Sequence, residues 1–488
     1  MAYETVLGLE VHIQLRTRSK LFCACPNTFA GEPNTRVCPV CLGLPGALPV
    51  LNGEAVTAVA RLGLALGATV HERSVFARKN YFYPDMPKNY QISQYDRPLV
   101  TGGHLDIGTA REPRLVPLTR VHLEEDTGKS FHPEVHGDRE ETRLDFNRAG
   151  VPLAEMVSEP ALTSPDDAFA YLVALRRLVR WLGISDGDME KGSLRCDANV
   201  SLRPAGRKEF GTRTEIKNLN SIAGVRNAIA AEVERQKGVL DGGGRIVQST
   251  LLWDQDKERL QVMRSKEEAH DYRYFPEPDL PPCVLSANDR ARIEADMPEL
   301  PQARARRFEE ALGLSAYDAA LVADTRELAD YFEETAAAGI PAKAVANWIG
   351  NDVLRTLKES GEDLAAFRAT IPPARLAALV GLVAGGTLSS KLGRELFAVM
   401  RAEPGEPAAL AKAHGLVQES DAGALAAIAE RVLEANAGVV DDFLAGKEKA
   451  LTFLVGQLMK ETKGKAQPQV AQGVLKEALE RRRAPAGP

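Results

Sequence analysis

Residues 194–203 constrain the fold more than any other stretch, because apolar and polar residues alternate there without a break. Side chains of a β-strand point to opposite faces in turn. One face would be apolar, and it is formed by Leu194, Cys196, Ala198, Val200 and Leu202. The other would be polar, and it is formed by Arg195, Asp197, Asn199, Ser201 and Arg203. Since Asp and Asn are depleted in strands, the polar face is a candidate binding surface.

The same alternation recurs in two other segments. In the first, Val11, Ile13 and Leu15 alternate with Glu10, His12 and Gln14. In the second, Val121 and Leu123 alternate with Arg120, His122 and Glu124, and Glu125 and Asp126 follow. Carboxylates suit hard cations, and Arg and Lys suit phosphates. The three strands together predict an open sheet that binds a cation and an anionic ligand, with merely solvated polar faces as the alternative.

Length and composition limit the class of protein. A chain of 488 residues is too long for one hydrophobic core, and 44% hydrophobic and 26% charged residues are ordinary for globular domains. No apolar run approaches the roughly 20 residues that a membrane span needs. Residues 3–15 have the pattern of a strand and not that of a basic region followed by an apolar one, so no targeting leader is expected. We therefore expect a soluble, cytoplasmic protein with no membrane association.

Charge is distributed unevenly along the chain. The formal net charge is −6, but residues 446–488 carry nine Lys and Arg against four Glu, a balance of +5. That segment also contains Phe453, Leu454, Val455 and Leu458, which would pack a small helical unit. We predict that this tail contacts nucleic acid through phosphates, with a disordered or solvated end as the alternative.

Four of the six cysteines form two close pairs. The pattern is C-x-C, twelve intervening residues and C-x-x-C, made by Cys23, Cys25, Cys38 and Cys41. This spacing predicts a tetrahedral zinc site of four thiolates, which is structural because no ligand position stays open. Disulfide pairing is the alternative, disfavoured by the predicted cytoplasmic location. Cys196 is expected in the core, and Cys283 carries no reactive-site signature.

Helix signals and proline-rich stretches predict an α+β protein with three domains. Ser164 and Pro165 begin a helix that ends at Gly183, and a second helix is expected from Ser221 to Lys237, stopped by Gly238. Beyond the proline-rich residues 275–282 the sequence is Ala-rich with a helical period. The predicted domains are 1–292, with mixed sheet and helices and the zinc site, then the small all-α domains 293–408 and 409–488.

Several long segments identify a family. They are residues 7–12, the cysteine quartet, 78–94, 122–126, 145–153, 192–203, 272–279, 454–460 and 464–466. With these motifs the chain resembles, over its whole length, the B subunit of the tRNA-dependent aspartyl/glutamyl amidotransferase. The resemblance is weaker between about 300 and 440. It implies that 1–292 is a cradle-like catalytic domain and that the tail binds tRNA.

The resemblance implies a division of labour in a heterotrimer. An A subunit releases ammonia from glutamine, a small C subunit ties the other two together, and this chain binds misacylated Glu-tRNA(Gln) or Asp-tRNA(Asn). It then phosphorylates the side-chain carboxylate with ATP and magnesium, and ammonia displaces the phosphate. The chain itself has no Ser-amidase or Cys-glutaminase signature. A zinc-bearing tRNA-binding scaffold without chemistry of its own is the alternative function.

Within this interpretation we assign candidate roles. The magnesium and ATP candidates are Glu10, His12, Glu124, Glu125 and Asp197. The candidates for phosphate, carboxylate and polar contacts are Lys79, Lys88, His122, Arg195, Asn199, Ser201 and Lys217. Because His is an unusual magnesium ligand, binding of His12 through water or its action on the substrate stays open.

Overall fold

The computed structural model describes residues 2–29, 31–131, 142–265, 271–416, 422–462 and 466–483. The chain divides into two compact units, Met1–Ala303 and Arg304–Pro488. The first unit combines sheets and helices and the second is helical, which confirms the predicted α+β class. The finer division into three domains stays a prediction.

The strands follow one another in this order: β1 Tyr3–Gln14, β2 Thr69–Val70, β3 Arg73–Ser74, β4 Ala77–Asn80, β5 Tyr90–Ser93, β6 Val100–Thr101, β7 His104–Asp106, β8 Leu115–Glu125, β9 Lys129–Phe131, β10 Arg143–Asp145, β11 Pro152–Ser158, β12 Leu194–Pro204, β13 Thr214–Leu219, β14 Ser249–Asp254, β15 Arg259–Ser265, β16 Phe275–Pro276 and β17 Cys283–Val284.

The helices are α1 Gly53–Ala65, α2 Pro165–Trp181, α3 Ile222–Asp241, α4 Ala287–Ala295, α5 Pro301–Leu312, α6 Ala316–Val322, α7 Arg326–Ala336, α8 Ala342–Trp348, α9 Leu354–Ser360, α10 Leu364–Thr370, α11 Pro373–Ala384, α12 Ser390–Ala402, α13 Pro407–Ala413, α14 Ala422–Ala435, α15 Ala437–Leu444, α16 Lys449–Glu461 and α17 Pro468–Arg483. A 3₁₀ turn spans Phe146–Arg148 and a π-helical turn spans Ile349–Val353.

The three predicted strands are confirmed as β12, β1 and β8, and they belong to one sheet. Within the described ranges this sheet has ten strands in the order β15-β14-β13-β12-β1-β11-β8-β6-β2, with β7 paired to β8. β1 is antiparallel to both β12 and β11, and β11 is antiparallel to β8. β11 therefore separates β1 from β8, and it places Glu155 between them.

The apolar face of this sheet packs against helices. One buried cluster joins side chains of β1 and β12, such as Val11 and Leu194, to Leu175 of α2 and Ile229 of α3. Burial of these alternate positions holds the strand register, because a slip by one residue would turn the polar set inward. The opposite face is thereby left for the polar side chains.

Both predicted helices are present, but the end of the second was predicted wrongly. The Ser164 side chain caps α2 and Pro165 begins it, as expected. α3 begins after its cap Ser221 but continues through Gly238 to Asp241, with Gly242 at its C-terminus and Gly243 at φ +77°. A single Gly inside a helix costs only about 1 kcal/mol, so the packed face of α3 prevails over it.

Asp167 in the first turn of α2 gives a stability prediction. Burial would raise the pKa of Asp167. The pKa is instead lowered to about 2 by the Arg114 guanidinium, which donates a 2.5 Å hydrogen bond to the carboxylate, and by hydrogen bonds from Thr163. Because folding lowers this pKa, the ionised Asp167 stabilises the folded state above about pH 4. That stabilisation is lost as the pH falls toward 2. We expect Asp167→Asn to cost about 2 kcal/mol at pH 7 and much less near pH 2, measured by urea unfolding. The exposed neighbour Asp166→Asn is the control, and equal costs at both pH values would contradict the assignment.

The helical unit contains a buried cluster of its own between α14 and α17, with Leu425, Leu454, Leu458 and Leu475 fully buried. Of the tail residues predicted to pack, Leu454 and Leu458 are buried and Val455 packs against them, whereas Phe453 is 47% exposed and was predicted wrongly. In the described part of the chain, no single helix has both the length and the apolar composition to cross a membrane. α10 and α11 meet that criterion only when taken together, and they bend by 67° between them.

Candidate active site

Strand register assembles a polar row across the centre of the main sheet. His12 of β1 lies opposite Arg195 of β12 on one side and opposite Glu155 of β11 on the other, and Glu155 lies opposite His122 of β8. Glu10 lies opposite Asp197 two positions along. Residues in register on one face of neighbouring strands are close enough to interact directly.

Five side chains on this face of the sheet form what we call the carboxylate-histidine cluster: Glu10, His12, His122, Glu124 and Glu155. His12 Nε2 lies 3.3 Å from a Glu124 oxygen, 3.5 Å from a Glu155 oxygen and 4.0 Å from a Glu10 oxygen. His122 Nε2 lies 3.4 Å from the same Glu155 oxygen and 3.8 Å from Glu124. The cluster therefore gathers three carboxylates around two imidazoles.

Burial and mutual charge shift the protonation of the cluster. Burial alone would lower the pKa of His12, but its hydrogen bonds to Glu124 and Glu155 raise it well above its usual value. Burial would raise the pKa of Glu124, but hydrogen bonds from His12 and His122 hold it well below its usual value. Burial and the Glu155 charge raise the pKa of Glu10. The carboxylates around His12 thus favour positive charge at this point of the sheet.

The donor set fits a divalent cation. Glu10, His12 and Glu155, and likewise His122, Glu124 and Glu155, offer ligand atoms that all lie within 4.8 Å of one another. His122 Nδ1 is buried and has no partner among the described residues. Carboxylate oxygens are the ligands that magnesium prefers, and one or two of them with substrate phosphates are its usual shell.

Cationic side chains surround the cluster. The Lys79 ammonium lies 4.9 Å from the centre of the Tyr272 ring; burial opposes its charge, but Glu124 raises its pKa. Arg195 lies 2.7 Å from Asp126, whose charge raises the pKa of this guanidinium. Lys217 contacts Asp197 and lies 3.0 Å from Glu215. Such a rim would attract a polyphosphate or a substrate carboxylate.

Two residues predicted as metal ligands are paired with lysines. Glu125 contacts Lys88 and accepts a 2.8 Å hydrogen bond from the backbone of Ile92, so it faces away from Glu124 on the other side of β8. Asp197 is on the same face as Glu10 but is paired with Lys217. The structure brings Glu10, His12, His122 and Glu124 together, and it does not bring Glu125 into that group.

Asn199 and Ser201 line a cavity beside the cluster. The cavity has a volume of about 400 Å³, and it is also lined by Gly8, Glu10, Pro160, Phe210 and Arg213. Its walls combine apolar surface with a few polar groups, as in sites for small molecules. Both predicted polar residues therefore lie within reach of a ligand that also meets Glu10.

Glu155 was missed by the sequence analysis. It belongs to the strand Pro152–Ser158, in which every position but Val157 is buried, so no alternation marks it. The available signal was a carboxylate inside an apolar strand, since Glu is almost never buried without a partner. Its contacts with His12 and His122 depend on the position of β11 between β1 and β8.

The four predicted cysteines also lie together. Their sulfur atoms all lie within 4.8 Å of one another, and all four thiols are free. The Cys38 backbone N–H lies 3.1 Å from Cys41 Sγ. The Cys23 thiol, the Cys38 N–H and the nearby Lys20 charge outweigh burial and lower the pKa of Cys41 to about 5. A thiolate set of this kind fits one tetrahedral zinc ion.

The chain is similar to known proteins over almost its whole length. Residues 5–290 match the family model described as the GatB/GatE catalytic domain, and residues 330–479 match the GatB domain. The chain is 50% identical over 479 residues to the B subunit of the aspartyl/glutamyl-tRNA(Asn/Gln) amidotransferase of Geobacter sulfurreducens, covering 98% of this chain and 100% of that one. The protein of the same name from Carboxydothermus hydrogenoformans is 49% identical over 477 residues, covering 98% and 99% of the two chains.

Proposed function

We propose that this chain, which belongs to the family of aspartyl/glutamyl-tRNA(Asn/Gln) amidotransferase B subunits, activates the side-chain carboxylate of Glu-tRNA(Gln) or Asp-tRNA(Asn) with ATP. The observation that carries the proposal is the carboxylate-histidine cluster with its rim of Lys79, Arg195 and Lys217. A tRNA-binding scaffold needs basic surface and has no use for buried carboxylates. The cluster therefore favours the enzyme over the scaffold.

The reaction follows from the weakness of a carboxylate as an electrophile. A substrate carboxylate oxygen attacks the γ-phosphorus of ATP and ADP leaves, giving an acyl phosphate. Ammonia then attacks the carbonyl carbon, the carbon-oxygen bond to phosphate breaks, and the amide and inorganic phosphate are released. Magnesium would neutralise the charge of the transferring phosphoryl group.

Different residues of this chain would bind the cation and the anionic groups. Glu10, His12, Glu124 and Glu155 would hold the cation, and Lys79, Arg195 and Lys217 would hold phosphate or carboxylate oxygens. His122 would orient Glu124 and Glu155, which both lie within 3.8 Å of its Nε2. Glu125 and Asp197 would first have to leave Lys88 and Lys217 to reach a cation, and their predicted ligand role stays a prediction.

The nucleoside of ATP would lie in the cavity at Asn199 and Ser201. A Cβ on Gly8 would be in ordinary contact with Pro160, at 3.8 Å, and with the Ser158 carbonyl oxygen, at 4.0 Å. Since both residues line the cavity, a small side chain at Gly8 is tolerated and a larger one would enter the cavity. We expect Gly8→Val to raise KM for ATP about tenfold, with kcat changed less, and Gly8→Ala to have a small effect. Steady-state ATP hydrolysis in the reassembled complex measures both constants. An unchanged KM for Gly8→Val would place the nucleoside elsewhere.

The helical tail would bind the body of the tRNA. Lys449, Lys460 and Lys476 are exposed on α16 and α17, whereas Lys463 and Lys465 lie outside the described residues. Replacing these three exposed lysines by Gln should weaken tRNA binding about tenfold and reduce the slope of log K against log salt by about 2. Deleting residues from about 410 onward should do more, with zinc content unchanged.

The control for the tail is Lys208→Gln, an equally exposed lysine of the first unit. Filter binding at several salt concentrations gives the affinity and the slope together. If the triple variant keeps both the wild-type affinity and the wild-type slope, the basic tail is a solvated end.

We also propose that the four cysteines bind zinc and that the chain acts in the cytoplasm with an ammonia-releasing A subunit and a small C subunit. The fit of the thiols to one ion supports the zinc site. The test of the function is ADP formation that depends on misacylated tRNA in the reassembled complex. Equal ADP formation with uncharged tRNA would contradict carboxylate activation.

A further inference from the structure

Lys20 is a buried lysine beside the cysteine cluster. Its side chain is fully buried, with 0% exposure, and it is among the largest fully buried side chains in the described residues. Its ammonium donates a 2.8 Å hydrogen bond to the carbonyl oxygen of Arg36 and lies 3.7 Å from Cys41 Sγ. Lysine is almost never fully buried unless an opposite charge accompanies it.

The surroundings of Lys20 supply no carboxylate for this charge. Among the described residues, no ion pair involves Lys20, and its side-chain hydrogen bonds go to Arg36 and Cys41 only. The nearby Glu125 is paired with Lys88. A buried ammonium without a counter-charge is strongly destabilising. The anionic partner must therefore come from the sulfur cluster itself.

Two states of the cysteines supply negative charge beside Lys20: a lone Cys41 thiolate, or four thiolates that share one zinc ion. Four neutral thiols or two disulfides supply none, whereas four thiolates around one zinc ion carry a net negative charge after the metal is counted. An N–H donor directed at a metal-bound thiolate withdraws charge from the sulfur and fixes its orientation. The position of Lys20 at Cys41 matches that role.

We propose that Lys20 is the counter-ion of the zinc tetrathiolate and positions Cys41 in it, an inference that rests on the proposed zinc site. The Lys20 ammonium contacts Cys41 Sγ from the buried side of the cysteine cluster. Lys20 lies in the segment between the end of β1 and Cys23. The backbone next to Lys20 also connects this segment to the main sheet. Leu21 donates a 2.8 Å hydrogen bond from its N–H to the carbonyl oxygen of Gly150, just before β11.

The test compares zinc affinity in the full-length chain carrying Lys20→Met, Lys20→Gln or the exposed control Lys208→Met. Competition with a chromophoric chelator measures the affinity of each folded variant. We expect Lys20→Met to bind zinc 10- to 100-fold more weakly, as is typical for loss of an outer partner, and Lys208→Met to match wild type. Lys20→Gln keeps a donor for Arg36 but loses the charge, and it should be weakened in the same direction.

A second readout separates the charge from mere packing. With zinc saturating, alkylation of the cysteines by iodoacetamide should be faster in both Lys20 variants, because their thiolates have lost an electron-withdrawing N–H. If Lys20→Met does not fold, Lys20→Gln decides. Zinc affinity within twofold of wild type and unchanged alkylation would overturn the proposal for Lys20. Wild-type chain purified without zinc would instead overturn the zinc site itself.

Discussion

Replacing Glu124 by Gln is expected to reduce aminoacyl-tRNA-dependent ATP hydrolysis by a factor of about 100 or more. The Glu124 side chain is 2% exposed and lies against both His12 and His122. The change removes a negative charge that would hold the cation, and a cation stabilises the phosphoryl-transfer transition state by several kcal/mol. ADP formation in the reassembled complex is the measurement.

The same change at Glu209, an exposed carboxylate of the same unit, is the matched control and should leave the rate unchanged. tRNA affinity should survive Glu124→Gln, because the proposed tRNA contacts lie mostly in the tail. A Glu124→Gln complex with the wild-type rate of ATP turnover would show that the carboxylate-histidine cluster takes no part in the chemistry.

Cys23→Ser or Cys41→Ser is expected to have the largest effect on stability. Structural zinc contributes about 10 kcal/mol or more of binding free energy to folding in small zinc domains, and a serine oxygen is a poor replacement for a thiolate. We expect the first unit to lose bound zinc, soluble yield and several degrees of unfolding temperature. Elemental analysis and thermal unfolding measure these effects.

Cys283→Ser is the control, because Cys283 is also buried but lies outside the cluster. It should keep a full complement of zinc. ATP turnover per folded molecule should be almost unchanged in the surviving Cys23→Ser protein, since the thiols do not belong to the carboxylate-histidine cluster. Wild-type zinc content after Cys41→Ser would contradict the assignment of the ligands.

Local sequence pattern predicted the strands that carry the site, because burial of every second residue determines both the strand and its polar face. It could not predict which strands are neighbours. Glu155 was missed for that reason, since its meeting with His12 and His122 depends on long-range pairing of β11 with β1 and β8.

The period of two also explains the separation of two adjacent candidates. Glu124 and Glu125 are consecutive in β8, so their side chains must point to opposite faces, and only one of them can join the cluster. Gly238 failed as a stop signal because packing of α3 outweighed the propensity of one residue. Lys20 gave no signal at all, since its burial depends on how the cysteine loops fold over it.

The most direct test of the central claim is transfer of a heavy oxygen isotope from the substrate carboxylate to phosphate. Misacylated tRNA labelled in the side-chain carboxylate would be incubated with ATP, magnesium and ammonia in complexes that contain either the wild-type chain or Glu124→Gln. The account predicts labelled inorganic phosphate with the wild-type chain, and a rate of its formation lower by a factor of about 100 or more with Glu124→Gln. Labelled phosphate formed at equal rates by both complexes would contradict it, because the carboxylate would then be activated without this cluster.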